Sequence, residues 1–303
     1  MKKLALLLLA TLALACKKEN TEEKHGKTRS MRFSVSGFNI QVDGLAAKMS
    51  SDEEKKAAAS KVLSSQINQL AFIIYDENGN EFKRSIQYSD NPEFGTYVEN
   101  LPVDSWFELV VVGSKQTFNL NSYEHPDHSN PVLSHMTQAR MMYHQPILQE
   151  VDEKQYKTDD TFYRKIGFST FNESKDQENI TMDRVVGKLE INVEDTDDYT
   201  VQILNEATEF TFSDEKSENS IDDDFGHEPV KYNGKTLCFY ILKTDSPLRI
   251  LIYGEGVEKE LKVPVFKNKR TTVSGKLLTP ETSSTLSVAI NEEWGEDAPP
   301  VKF

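Results

Sequence analysis

The sequence predicts an all-β protein of two β-sandwich domains in tandem, with one short helix in the first. Three observations carry this. Short segments that alternate apolar and polar residues recur along the chain, separated by turn residues. One separator is Asn78-Gly79, inside "QLAFIIYDENGNEFKRSI", where two β-rich runs flank a strong hairpin signal. Only "SSDEEKKAAASKVL" reads as a helix: Ser51 and Glu54 form a capping box, and Ala and Lys fill the interior. No internal repeat is visible.

Taken in order, the chain opens with "KKLALLLLATLALACKKEN". Lys2 and Lys3 give a basic start, Leu4 to Leu14 is apolar apart from Thr11, and small Ala13 and Ala15 precede Cys16. The apolar run is about half the ~20 residues that a spanning helix needs. A charged start, a short apolar middle and small residues before the break describe a secretory signal over residues 1–15. The cysteine makes the segment resemble a bacterial lipobox, with Ala13 where Leu is usual. The expectation is a chain cut before Cys16 and lipidated there, since multiple acylation gives stable anchoring.

Residues 16–30 are polar and read as a tether. In "MRFSVSGFNIQV", Phe33 and Val35 alternate, as do Phe38, Ile40 and Val42, but the phase slips by one at Gly37. A strand with a bulge there explains both facts. Phe33, Val35, Phe38 and Ile40 are its expected core residues. The helix and the Asn78-Gly79 hairpin follow, then the apolar strand "SWFELVVVGS", in which Trp106 is expected to pack in the core. Residues 119 to 160 read as loop-rich. The alternation restarts at Val186, Leu189, Ile191 and Val193, so the first domain is placed at 31–182 and the second at 183–303. "YTVQILNEATEFTF", "TLCFYIL", "LRILIYGEG", "EKELKVPVF", "TTVSGKLL" and "TLSVAI" supply its strands.

The 303 residues carry a net charge of −14 with acidic residues spread along the chain. That excludes a nucleic-acid partner, which needs clustered Lys and Arg. Cys16 and Cys238 are the two cysteines. With Cys16 lipidated no intrachain disulfide forms, and Cys238 in its apolar run is expected to be a small core residue.

Motifs for chemistry are weak. "GKT" at Gly26 and at Gly234 lacks the glycine that a phosphate-binding loop needs five residues earlier; Thr21 and Pro229 stand there. His125, Asp127, His128, His135 and His144 are metal-ligand types without a zinc spacing, and the prolines among them favour an exposed loop. "DDDFGHE" lacks the ligand pattern of a calcium loop. The expectation is no enzyme, no metal and no small-molecule cofactor.

Three stretches carry a family likeness: "MDRVVGKLEINVED", "VPVFKNKRTTVSGKLL" and "TLSVAINEEWGED", with Trp294 just past the last strand. They resemble the second domain of the Bacteroidales fimbrillins, the subunits of type V pili. The resemblance implies two transthyretin-like sandwiches, export to the outer membrane as a surface lipoprotein, other pilus subunits as partners, and assembly by strand exchange. It implies that an arginine-specific protease removes the first strand from stalk subunits but not from anchors. Here the stretch after that strand, "DGLAAKMSSDEEKKAAASKVLSSQINQ", has four lysines and no arginine, while Arg29 and Arg32 lie at or before the strand's start. The expected role is therefore the membrane-tethered anchor subunit of a fimbrium, acting in cell adhesion. The alternative is a surface glycan- or ligand-binding lipoprotein, which needs exposed aromatic platforms. Finally, Leu286, Val288 and Ile290 alternate in "SSTLSVAINEEW". That pattern fits a last strand paired in its own domain and equally a strand donated to a neighbouring subunit.

Overall fold

The computed structural model describes residues 27–38, 63–120, 135–143, 158–204, 206–220, 230–233, 236–279 and 287–291. The signal segment, Cys16, Ile40, Leu286 and Trp294 lie outside them, as do most of the helix, the histidines other than His135, and the acidic loop. Residues 63–66, at the end of the expected helix, are helical.

The described chain is almost entirely strand. Its first half contributes β1 (Thr28–Phe38), β2 (Gln69–Asp76), β3 (Glu81–Tyr88), β4 (Thr96–Pro102), β5 (Trp106–Ser114), β6 (Asn119–Leu120), β7 (Arg140–Met142), β8 (Thr161–Ser169) and β9 (Gln177–Arg184). Seven of these form one sheet in the order β3-β2-β5-β8-β9-β1-β4. The sheet folds over at β8–β9, which pair only at Phe162–Arg184 and Tyr163–Asp183. The two limbs, β4-β1-β9 and β3-β2-β5-β8, enclose Met31, Phe33, Leu70, Phe72, Leu109, Val111, Phe162 and Met182 in one apolar core.

β2 over Leu70–Tyr75 and β5 over Leu109–Val112 are apolar without a break because both their faces are covered there. Leu70, Phe72 and Ile74 face the first core, while Ala71, Ile73 and Tyr75 face a second one. The cover on that second face is a small sheet, β13-β12-β7-β6. Its β12 (Ala207–Thr211) and β13 (Lys216–Ser220) come from the second half of the chain. The hairpin they form is tied down by polar contacts as well. Tyr163 Oη donates to Phe212 O at 2.9 Å, Lys165 Nζ donates to Ser213 O at 2.9 Å, and Arg140 pairs with Glu209 at 2.6 Å.

The second sandwich sets β15-β10-β18-β19 against β14-β11-β16-β17. Its strands are β10 (Gly187–Val193), β11 (Asp198–Leu204), β14 (Val230–Asn233), β15 (Thr236–Ile241), β16 (Leu248–Gly254), β17 (Val257–Val263), β18 (Arg270–Gly275) and β19 (Ser287–Asn291). Leu189, Ile191, Val201, Ile250, Ile252 and Val273 meet in its core. The predicted domain limit at 182/183 falls inside β9, which stays in the first sheet to Arg184; β10 then opens the second sandwich at Gly187.

Two expectations of burial are corrected. Trp106 is 55% exposed. It shares the face of Val110 and Val112 on β5, but the covering hairpin stops short of it, and Glu108 between them is also exposed. Cys238 is exposed as well. On β15 the inward residues are Leu237, Phe239 and Ile241, so Cys238 faces outward, opposite Glu190.

Candidate functional site

The first strand is an inner strand. Thr28–Ser34 pair antiparallel with β4, and Arg32–Phe38 pair in parallel with β9. The predicted bulge is present: Val35 pairs with Ile180 and Gly37 with Thr181, leaving Ser36 as the extra residue. Its hydroxyl donates to Ile180 O at 3.1 Å. The bulge keeps both halves of the strand in phase with one core. Met31 and Phe33 are fully buried and Val35 nearly so, while Phe38 is half-buried against the same cluster. The Phe33 ring lies 5.1 Å from that of Phe168, and Phe38 lies 4.1 Å from Phe162. Each large side chain buried this way is worth about 1.5–3 kcal/mol, so β1 is integral to the first sandwich.

Its entry is fastened too. β1 starts at Thr28, so Arg29 and Arg32 lie within the strand rather than before it. The Arg29 guanidinium donates to Asp176 and to the carbonyls of Phe171 and Ser174. The backbone N–H of Val103 donates to Lys27 O at 3.0 Å.

At the other terminus, β19 pairs antiparallel with β18, with Val288 opposite Val273 and Ile290 opposite Thr271. It is an edge strand. The segment leaving β18 is held by Asp195, whose carboxylate accepts from the amides of Leu277, Leu278 and Thr279 at 2.7, 2.9 and 2.9 Å and from the Thr279 hydroxyl at 2.9 Å. Partial desolvation works against its charge, but these bonds outweigh it and draw its pKa down to about 2. Nothing in the sequence pattern marked Asp195; an Asp just past the end of a strand is common turn chemistry.

His135 serves the fold. Its Nε2–H donates to Asn78 O at 2.9 Å and its Nδ1 accepts from Thr137, clamping the hairpin turn in which Gly79 takes a φ of 80°. Among the described residues no cluster of His, Cys, Asp or Glu has metal-binding geometry.

Residues 31–295 match the family described as fimbrillin-A associated anchor proteins Mfa1 and Mfa2. The chain belongs to this family. Membership carries a fimbrial subunit role and a place at the fimbrium or cell surface. No curated protein sequence matches the chain. Among solved structures, it is similar to a candidate polysaccharide-binding protein of Bacteroides thetaiotaomicron, at 10% identity and a TM-score of 0.54, covering 88% of this chain and 96% of that one. A candidate adhesin of the same organism aligns at 11% identity and a TM-score of 0.51, over 88% and 97%. Both show the fold alone. The fimbrial anchor protein Mfa2 of Porphyromonas gingivalis aligns at 10% identity and a TM-score of 0.46, over 88% and 98%.

Proposed function

We propose that this chain is the anchor subunit of a type V fimbrium, held in the outer membrane by lipid on Cys16 and joined to its partner subunits by β-strand exchange. One observation carries the reading: β1 is locked between β4 and β9, and the chain after it offers no arginine before Arg84. Arg29 and Arg32 are themselves inside the strand, where a protease needs several residues drawn out in extended form. A cut at either would in any case leave Phe33, Val35 and Phe38 in the core. The subunit therefore keeps its first strand and remains attached to its lipid. Joining to neighbours is then β-augmentation, in which main-chain hydrogen bonds give affinity and alternate apolar side chains give fit.

Mass spectrometry of the protein released from the cell surface tests this. The expected species begins at an acylated Cys16. A mature terminus within residues 43–70 would show that the strand is shed and would make the chain a stalk subunit.

A further inference from the structure

We propose that Trp106 and Phe171 form a foot on which the first sandwich rests against the membrane surface. This rests on the lipid at Cys16. Trp106 is 55% exposed and Phe171 38%, and their rings meet edge to face at 6.0 Å. The segments that carry them are stitched together: Thr170 Oγ1 donates to Pro102 O at 2.6 Å, the Thr170 amide donates to Ser105 O at 3.0 Å, and the Ser105 amide donates to Thr170 Oγ1 at 3.1 Å. Two large apolar rings are thus presented to the outside on a firm mount.

Their position selects the occupant. Arg29, the second residue of β1, bonds the Phe171 carbonyl, and the Lys27 carbonyl accepts from the Val103 amide. The pair therefore sits at the end of the sandwich where the tether enters. The second sandwich leaves from the opposite end: Trp106 pairs with Ser169 at one end of β8, whereas Arg184, the last residue of β9, pairs with Phe162 at the other. Eleven residues, 17 to 27, separate Cys16 from β1. Fully extended they span at most about 40 Å, so the foot is confined near the bilayer at an effective concentration of order mM. A weak contact is then well populated. Indole rings favour the water–lipid interface because they have an apolar body and one polar N–H. The loop residues flanking the pair, Asp104, Glu173, Lys175 and Asp176, are three acids and one base, with Asp176 paired to Arg29, and offer no cationic cluster for anionic headgroups. Adhesion therefore comes from the rings and is insensitive to salt.

The test uses full-length lipidated protein with Trp294→Phe, which leaves Trp106 as the single indole. It is reconstituted in phosphatidylcholine vesicles containing brominated phosphatidylcholine. The expected result is a blue-shifted Trp106 emission, quenched by the bromolipid and shielded from iodide, unchanged by added salt and reduced by Phe171→Ser. Protein that carries palmitate label yet shows full iodide access and no bromolipid quenching overturns the foot and leaves the anchor reading intact. Absence of label at Cys16 removes the tether and both readings with it. Trp106-dependent retention on a glycan array, without quenching, would give the pair to a sugar and overturn the proposal.

Discussion

Arg184 grips Asp160 with two hydrogen bonds, Nε to Oδ1 at 2.6 Å and Nη2 to Oδ2 at 2.7 Å, and both side chains are buried. A third bond, from Nη1 to Asn268 Oδ1 at 3.2 Å, reaches the second sandwich, and the guanidinium lies 5.1 Å from the centre of the Phe162 ring. This arginine thus adds a buried polar tie to the apolar contact that the β12–β13 hairpin makes with the first sheet.

Asp160→Ala takes from that charge its paired carboxylate. Removing one partner of a buried pair typically costs about 3–5 kcal/mol, so urea denaturation should show a loss of this size. A paired replacement, Asp160→Leu with Arg184→Met, should recover most of it. Equal losses for the single and paired variants would contradict this account.

Glu206, at the start of the segment leading into β12, is 3% exposed. Its Oε1 accepts from the amides of Leu242 and Lys243 at 3.0 and 3.2 Å, while Oε2 has no hydrogen-bond partner among the described residues. Burial pushes its pKa up to about 7, against the pull of those amides, that of Ala207 and the Lys243 charge. The folded state thus holds the proton more tightly than the unfolded one. The resulting stability is full below about pH 4.5 and is lost as pH rises through about 7, with a total on the order of 3 kcal/mol. Glu206→Gln should flatten the stability profile between pH 5 and 8 in guanidinium titrations.

Asp195→Asn replaces a charged acceptor of four bonds with a neutral one. A cost of about 1–2 kcal/mol is expected, with faster hydrogen exchange at Leu277, Leu278 and Thr279. The sign of the pH effect is opposite to that of Glu206: a depressed carboxyl stabilises above its ordinary pKa and loses that contribution as pH falls towards 2.

Gly187→Ala should destabilise by about 1–3 kcal/mol. A Cβ there would lie 2.4 Å from Val265 Cγ1 and 2.6 Å from the Phe266 carbonyl oxygen, and the backbone atom has little room to yield.

Val288→Asp probes strand exchange at the C-terminus. If β19 is donated, the variant should melt at nearly the wild-type temperature yet fail to co-purify with pilus subunits. A large fall in melting temperature would assign the strand to the sandwich whose β18 it borders.

Legibility followed covering, not hydrophobicity. The bulge at Gly37 could be read because one face of β1 is buried and the other is not, so the phase slip shows. β2 and β5 are legible as strands, but an apolar run buried on both faces does not show where its cover ends; on β5 the cover ends before Glu108, and Trp106 lies beyond it. Cys238 failed similarly, since Phe239 and Tyr240 blur the alternation on β15. β6 and β7 have two and three residues, too short for any periodicity. β7 pairs with a hairpin nearly 70 residues further along and β6 with β7, contacts that no local pattern encodes. The seat of β1 was legible through Phe33, Val35 and Phe38, but its clasp was not, because Arg29 finds Asp176 only when β9 is in place.

The geometry of β1 also determines how the molecule meets mechanical load. A pull at Lys27 runs along the strand, while the ladders to β4 and β9 lie across it, so the bonds on both edges are strained in shear together instead of opening one by one. Slippage is blocked as well. A shift of one residue would turn Phe33 and Val35 outward and leave Ser36 without its bulge, so the strand can only hold or let go as a whole.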